Sequence, residues 1–293
     1  MVYIELSEGI GNNLFQIAAG VSLAKENNTD CISCVPNIKT DAGEALTDYM
    51  VQYKDNILRN VSFMTGLPEK CTIYNQKEFD YKPIPYFSDI LISGYFQSEK
   101  FFDKSYITEL FSIDDKTRDY IFNKYGELLR DEIISIHVRR GDYLKRPLRQ
   151  PICGMVYFRE ALKYFGKEKK YLVFSNDIKW CKKNFKGDNF FFAENESSVT
   201  DLYLQSLCTH NIISNSSYSW WGAWLNSNPK KVVIAPDNWF GLQLKNNDTK
   251  DLIPEGWKII HNPRSIKLKM QIAQYWVVDI FKRAMWRLFR IGI

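Results

Sequence analysis

Two successive series of strand and helix patterns constrain the fold of this chain more than any other sequence feature. The first series begins with the short apolar segment at residues 2–6, and the second begins at Ile133. Strands that alternate with helices form parallel sheets. A chain of 293 residues is long enough for two domains. The sequence therefore predicts two α/β domains, at residues 1–130 and 131–263, with a cleft between them.

Composition indicates a packed protein whose net positive charge is carried by its C-terminal segment. Apolar residues make up 45% of the chain and charged residues 25%. Residues 264–293 hold seven basic side chains against one aspartate, a net charge of +6, and the remainder sums to −1. A neutral body argues against nucleic acid as a partner. The absence of a leader and of an apolar run of about 20 residues predicts a cytoplasmic protein, and the six scattered cysteines predict reduced thiols.

The C-terminal segment has the pattern of a basic amphipathic helix. Apolar residues recur every fourth position, at Ile272, Trp276, Ile280, Ala284 and Leu288. A helix of this kind suits the anionic inner face of a membrane, so residues 266–293 predict peripheral membrane contact. The alternative is a helix that packs on the first domain.

One strand end combines an imidazole with two guanidinium groups. The apolar segment 133–136 leads directly into His137, Arg139, Arg140 and Asp142. Ligands bind beyond the carboxyl ends of strands in open α/β sheets, and the planar fork of arginine fits phosphate oxygens. The pattern favours a site for a nucleotide sugar or another phosphorylated ligand. A surface ion-pair cluster is the alternative, but it would not need a strand end.

Two later strand ends carry further polar side chains. Ser175 and Asp177 follow an apolar strand, and a carboxylate there could accept two hydrogen bonds from guanine or could cap the next helix. Ser216 and Ser217 precede a helical segment, where backbone N–H groups and hydroxyls form an anion site. An ordinary capped helix start would explain the serines, but not the sequence Trp-Trp-Gly-Ala-Trp that begins at Trp220.

The segment Gly9–Asn13 follows the first strand and resembles a truncated dinucleotide-binding fingerprint. Leu14 stands where the third glycine should be, and no acidic residue ends the second strand. A dehydrogenase is therefore disfavoured. The segment is predicted to be a tight turn, either purely structural or with Gly11, Asn12 and Asn13 facing the cleft. Three histidines and the absence of Asp-x-Asp and P-loop patterns predict no bound metal.

Taken together, these segments resemble the bacterial α-1,2-fucosyltransferases of glycosyltransferase family 11. The matching runs lie in order through most of residues 1–240; they are Gly9-x-Gly11-Asn12-x-Leu14-Phe15-Gln16, His137-x-Arg139-Arg140-Gly141-Asp142-Tyr143, Phe174-Ser175-Asn176-Asp177, and a long run from Asp201 through Ser214-Asn215-Ser216-Ser217 to Leu225. Asn13 departs from the glutamine usual in the family, and Ser7-Glu8 replaces a glycine-rich approach. Both departures lie in the segment expected on the acceptor side, so they affect the expected identity of the acceptor more than the expected use of the donor.

The resemblance implies a GT-B fold with two Rossmann-like domains and GDP-β-L-fucose as the donor. It also implies inversion at the anomeric carbon, an α-1,2 bond to a galactoside and no metal requirement. By motif position, His137 and Asp177 would contact guanine, with Ser175 beside them. Arg139 would bind the β-phosphate, and Ser216 and Ser217 the diphosphate. The 9–13 segment would face fucose or acceptor, and Asp142 is a candidate base or orienting group.

The expected partners are a galactose-containing oligosaccharide or a lipid-linked glycan, in surface glycan synthesis. Two alternatives stay open: a glycosyltransferase that uses another nucleotide sugar, and a catalytically silent sugar-binding protein on the same fold. Intact Arg139 and Asp142 argue against a silent protein.

Overall fold

A computed structural model of the chain describes residues 1–40 and 43–263, and in the C-terminal segment only residues 266, 270, 273 and 277. Before residue 131, a parallel five-stranded sheet has the order β3-β2-β1-β5-β4. Its elements and the helices around it are β1 (Val2–Glu5), α1 (Ile10–Glu26), β2 (Cys31–Val35), α2 (Leu46–Lys54), β3 (Phe63–Thr65), β4 (Thr72–Asn75), β5 (Ile90–Ser93), α3 (Lys104–Leu110) and α4 (Asp115–Tyr125).

After residue 131, a parallel six-stranded sheet has the order β11-β10-β9-β6-β7-β8. Its elements are β6 (Ile133–Val138), α5 (Met155–Phe165), β7 (Lys170–Ser175), α6 (Ile178–Asn184), β8 (Phe190–Phe192), α7 (Ser198–Leu207), β9 (His210–Ile212), α8 (Ser217–Trp224), β10 (Val233–Pro236) and β11 (Lys258–Ile260). All six residues of β6 are buried between β7 and β9, as expected for a central strand of a parallel sheet. The prediction of an α/β protein with parallel sheets is confirmed.

The boundaries of several elements differ from prediction. The predicted tight turn at 9–13 is wrong, because α1 begins at Ile10. The backbone N–H groups of Asn12 and Asn13 donate to the Gly9 carbonyl at 2.9 and 3.1 Å. Four short strands, β3, β4, β8 and β11, carry too few buried apolar residues to be recognised; in β4, Ile73 is 61% exposed. Short edge strands give a weak sequence signal because one or both faces meet solvent.

The two halves meet where α1 and α8 begin. A Cβ on Gly11 would lie 2.4 Å from the Tyr218 backbone nitrogen, so only glycine permits this approach. The Trp221 indole donates to the Gly11 carbonyl at 3.1 Å, and the Phe15 ring lies 4.9 Å from the Trp221 ring. One hydrophobic cluster contains residues of both halves. The carboxyl ends of both sheets are thereby fixed against each other around one opening.

The predicted amphipathic helix rests on Ile272, Trp276, Ile280, Ala284 and Leu288, which lie outside the described residues. The four described positions of this segment are helical and exposed; among them, Ile266 is 78% and Val277 68% exposed. No helix formed by the described residues has both the length and the apolar character needed to cross a membrane.

Candidate active site

A cavity of about 780 Å³ opens between the two halves. Its lining includes Glu8, Gly11 and Asn12 from the first half, and His137, Arg139, Asp142, Ser175, Asn176, Asp201, Ser216 and Ser217 from the second. Cavities of this size hold nucleotide-sized ligands. The structure therefore brings most of the sequence-predicted residues to one place, and it leaves out Asn13 and Asp177.

Arg139 and Asp142 form an ion pair at the end of β6. Arg139 Nη2 donates to Asp142 Oδ2 at 3.0 Å, and Arg139 Nε lies 2.9 Å from Oδ1. Burial alone would lower the pKa of Arg139, but the hydrogen bond to Asp142 raises it, so the cation persists. Burial alone would raise the pKa of Asp142, but Arg139 holds it below its usual value. Asp142 is thus an ionised, weakly basic group that orients Arg139.

Asn176, which the motif analysis gave no role, holds the turn after Arg139. Its Oδ1 accepts from the Arg140 and Gly141 amides at 2.9 and 3.1 Å, and its Nδ2 donates to Asp142 Oδ1 at 3.1 Å. A Cβ on Gly141 would lie 2.9 Å from Asn176 Nδ2. This close approach fixes the segment that carries Asp142.

His137 lies in the cavity wall as a neutral imidazole. Burial, and then the positive charge of Arg139, lowers the pKa of His137 to about 3. Its Nδ1 shares a hydrogen bond of 2.8 Å with Ser214 Oγ, and its ring centroid lies 5.5 Å from that of Tyr218. A neutral ring held in this way can offer a hydrogen bond to a ligand, but it is too weak a base to take a proton near pH 7.

Asp177 lies outside the cavity lining, and the structure uses it as a helix cap. Its Oδ1 accepts from the Trp180 amide at 3.2 Å, and its Oδ2 accepts from Arg140 Nε at 3.2 Å. Ser175 lines the cavity, but its hydroxyl donates to the Val138 carbonyl at 2.8 Å and accepts from the Asp177 amide at 2.9 Å. The carboxylate predicted for guanine is thus occupied by capping, the alternative weighed from the sequence.

Asp201, in the first turn of α7, is a carboxylate in the cavity wall that motif analysis left without a role. Burial, and then the charge of Glu196, raises the pKa of Asp201 to about 7. Its Oδ1 is buried and has no hydrogen-bond partner among the described residues. Perturbed and unpaired carboxyl groups in clefts mark functional sites. The signal was in the sequence, since Asp201 opens the long run that ends at Leu225.

Ser216 and Ser217 stand at the amino end of α8, as predicted. The neighbouring Asn215 fixes this segment, because its Nδ2 donates to the Pro151 and Trp239 carbonyls, each at 2.9 Å. The Ser216 side chain accepts no capping hydrogen bond from the helix. Unpaired N–H groups and hydroxyls at a helix N-terminus suit an anion.

The first half contributes a network of polar side chains. Asn12 lines the cavity, donates from Nδ2 to Glu8 Oε2 at 2.5 Å and accepts from Gln97 Nε2 at 2.7 Å. Asn13 instead is fully buried and donates to the Ser7 carbonyl at 2.9 Å. Gln97 was missed by motif analysis, because nothing in the sequence joins it to Asn12 across 85 positions, and Glu8 was noted only as a departure from the family pattern.

Comparison with known proteins identifies the family. The family model described as Glycosyl transferase family 11 matches residues 53–261, which is most of the chain. This chain belongs to glycosyl transferase family 11. The predicted resemblance is confirmed, and the cavity is the candidate active site of a glycosyltransferase.

Three relatives show the range of activities among proteins similar to this family 11 chain. An Escherichia coli α-1,2-colitosyltransferase is 27% identical over 88% of this chain and 98% of its own length. The Escherichia coli O-antigen biosynthesis glycosyltransferase WbnK is 39% identical over 40% of this chain, but the match spans only 42% of that protein. A galactoside α-(1,2)-fucosyltransferase 1 of Saimiri boliviensis boliviensis is 33% identical over 31% of this chain and 28% of its own length.

Solved structures show the same fold. The α-1,6-fucosyltransferase NodZ from Bradyrhizobium, in a crystal soaked with GDP-fucose, superposes with a TM-score of 0.50 and 14% identity. The alignment covers 78% of this chain and 96% of that one. The family 11 chain therefore has the predicted GT-B architecture of parallel α/β sheets.

Proposed function

We propose that this chain is an inverting glycosyltransferase that moves L-fucose from GDP-β-L-fucose to a galactoside hydroxyl in an α-1,2 linkage. The observation that carries the proposal is the pairing of a partly buried, cationic Arg139 with the amino end of α8 in one cavity. Family membership supports glycosyl transfer, and the α-1,2 specificity of two relatives supports the linkage.

Arg139 and α8 would stabilise the departing GDP. The C1–O bond to the β-phosphate breaks in the transition state, and negative charge develops on that oxygen. Arg139 is held in place by Asp142, so little reorganisation is needed when the charge appears. The Ser216 and Ser217 hydroxyls and the N–H groups of the first turn of α8 add donors. Such interactions accelerate the reaction because they strengthen as the leaving group gains charge.

Asp201 and His137 would bind the guanine base of the donor. Both side chains line the cavity near Tyr218. The Tyr218 ring centroid lies 5.5 Å from that of His137, and its hydroxyl donates to the Ser198 carbonyl in the turn of α7 that carries Asp201. Guanine offers an N1–H and an N2 amino group on one edge, and a carboxylate accepts both. This assignment replaces Asp177 with Asp201, whose Oδ1 has no partner among the described residues. Pairing with guanine would satisfy that atom.

GDP-colitose is a second candidate donor. The relative that matches 88% of this chain is a colitosyltransferase. Colitose is L-fucose without the 3-hydroxyl, so the two donors present the same diphosphate and the same anomeric carbon. An enzyme that hydrogen-bonds the 3-hydroxyl would reject colitose strongly, whereas one with an apolar contact there would accept both.

The decisive experiment measures GDP release from GDP-fucose, GDP-colitose, GDP-mannose and UDP-galactose in EDTA, with galactosides present. We expect release from one or both 6-deoxy-L-sugar donors without added metal, and its loss in Arg139→Ala. Arg140→Gln is the matched control, since Arg140 stacks on Trp180 outside the cavity lining. Equal release from GDP-mannose would contradict the proposed donor, and release that depends on added Mg²⁺ would contradict metal independence.

The acceptor is proposed to be a galactose-containing glycan, free or carried on a lipid, at the inner membrane face. Residues 266–293 would supply the membrane contact. Deletion of this segment should reduce sedimentation with anionic vesicles and leave GDP release unchanged. Equal sedimentation of the shortened and full chains would remove the membrane from this proposal.

A further inference from the structure

An inverting transfer needs a group that takes the proton of the acceptor hydroxyl. Among the described residues that line the cavity, five carry a carboxylate or an imidazole: Glu8, His137, Asp142, Glu196 and Asp201. His137 is neutral with a pKa of about 3, and Asp142 is committed to Arg139. Glu196 accepts from Lys124 Nζ at 2.5 Å and from Tyr125 Oη at 2.7 Å, and its side chain is only 2% exposed. These three are too weakly basic, already paired or too buried for the task.

Asp201 is the carboxylate that the proposed function assigns to guanine. It lies in the first turn of α7, where the Ser198 carbonyl accepts from the Tyr218 hydroxyl, and the Tyr218 ring lies beside that of His137. A carboxylate that accepts from guanine cannot also reach the acceptor hydroxyl at the anomeric carbon. Glu8 is the carboxylate that stays available.

The Glu8 carboxylate is oriented but retains acceptor capacity. Its Oε2 accepts from Asn12 Nδ2 at 2.5 Å, and its Oε1 accepts from Tyr95 Oη at 2.7 Å. Each carboxylate oxygen has two lone pairs, so one on each oxygen is left for a substrate hydroxyl. The Glu8 side chain is 33% exposed to solvent, which lets a substrate approach.

Glu8 faces the same space as Arg139. Its Oε1 lies 3.9 Å from Arg149 Nη2, across the cleft in the second half. Glu8, Arg139 and Tyr143 all line the cavity. Burial raises the pKa of the Tyr143 hydroxyl, the charge of Arg139 lowers it, and the charge of Glu8 raises it. The carboxylate and the phosphate-binding arginine therefore border one volume, as a base and a leaving-group ligand must.

The backbone at Glu8 is strained for a non-glycine residue, since its φ is +61°. Glycine adopts this conformation at no steric cost, and Gly9 follows directly. A side chain kept at a strained position next to a cavity indicates a role for that side chain.

We propose that Glu8 is the general base of the transfer. The acceptor O–H bond breaks and its proton passes to a Glu8 oxygen, while the acceptor oxygen forms the new bond to C1 of the sugar. The C1–O bond to the β-phosphate breaks, and its electron pair leaves with GDP beside Arg139. This role rests on the proposed function.

The test compares Glu8→Gln and Glu8→Gly with the parent, using the active GDP-sugar and a panel of lactose, N-acetyllactosamine and galacto-N-biose. We expect the kcat of transfer to fall about 100-fold or more in both variants, with the Kd of GDP unchanged. Formate should restore transfer by Glu8→Gly in proportion to its concentration. The melting temperature of Glu8→Gly should equal or exceed that of the parent, because the strain is relieved. Glu5→Gln, on β1 and outside the cavity lining, is the matched control.

Three results would overturn the assignment. Transfer by Glu8→Gln within about threefold of the parent would show that no proton goes to this side chain. A rise in the KM of the acceptor with kcat unchanged would show an acceptor contact and no base. A parent that releases no GDP from any donor would refute the proposed function itself, and the role of Glu8 with it, before any variant is compared.

Discussion

The two walls of the cavity are built in different ways. In the second half, the side chains come from the ends of neighbouring strands and are held by partners on the same loops, as Arg139 is held by Asp142. In the first half, side chains from the ends of β1 and β5 hold one another, as Tyr95 holds Glu8 across 87 positions of sequence. The second wall is a set of paired charges, and the first is a chain of hydrogen bonds between polar side chains.

The different construction of the two walls fits two different tasks, binding of the donor and binding of the acceptor. In a wall of paired charges, replacing one member leaves its partner unpaired, which suits a nucleotide diphosphate that is always the same. A wall joined by single hydrogen bonds of about 1 kcal/mol each can change one residue at a time, which suits acceptors that differ between enzymes. The departure from the family pattern at Glu8 falls on this first wall, whereas the departure at Asn13 lies buried outside the cavity lining.

The largest expected effect is that of Arg139→Lys, which tests the paired charges of the second wall. Lysine keeps the charge but cannot keep the two-atom contact with Asp142 or fork onto a phosphate. We expect kcat to fall about 100- to 1000-fold, the range seen when one oxyanion donor is lost. Steady-state GDP release checks this, with Arg140→Lys as the control. A loss below about tenfold would show that α8 alone stabilises the leaving group.

The contact between the walls is tested by Gly11→Ala. A Cβ there would lie 2.4 Å from the Tyr218 nitrogen and 2.7 Å from the Ser217 carbonyl carbon, and backbone atoms cannot move aside cheaply. We expect the free energy of unfolding to fall by about 1–3 kcal/mol, as for overpacking. Urea denaturation measures it. Gly154→Ala, at the N-cap of α5, is the control, since its Cβ would meet nothing within 4 Å. Equal losses in the two variants would show that the close approach of Gly11 to Tyr218 adds no cost of its own.

The second wall could be predicted from the sequence because its residues are contiguous. The fully buried β6 leads directly into Arg139 and Asp142, and Ser216 and Ser217 stand at the start of α8 within one long run. What the sequence could not decide is which aspartate enters the cavity. Asp177 and Asp201 both stand beside helix starts, and the choice follows from Arg140 and Trp180, which engage Asp177.

The first wall was predicted in part, for a geometric reason. Asn12 and Asn13 were expected to share a loop, but both lie in the first turn of α1, where consecutive side chains point about 100° apart. Only one of them can face the cavity. The contacts of Asn12 with Gln97 and of Glu8 with Tyr95 join residues 85 and 87 positions apart, which no local pattern reveals.

The pH dependence of GDP affinity sharpens the description of the second wall. The pKa of Asp201 is raised to about 7, and hydrogen bonds from guanine would favour its ionised form. Below pH 7 the free Asp201 carboxyl is protonated and must lose its proton when guanine binds. The affinity for GDP is therefore full above pH 7 and declines below it, by about tenfold at pH 6. Titration calorimetry from pH 5.5 to 8.5 measures this. Asp201→Asn is the reference, because titration of the β-phosphate is common to both proteins and cancels in their ratio. Parallel profiles would exclude Asp201 from base recognition.

The smallest expected effect tests the adaptability of the first wall. Tyr95→Phe removes the hydroxyl that donates to Glu8 Oε1 at 2.7 Å and leaves the Asn12 bond to Oε2 in place. The loss of one hydrogen bond of about 1 kcal/mol predicts a change of roughly three- to tenfold in kcat/KM for the acceptor. The Kd of GDP should stay the same, because the second wall is untouched. The exposed Tyr120→Phe is the control. A matching loss of GDP affinity would show that the two walls respond as one unit, and acceptor choice could then not vary without a cost to the donor site.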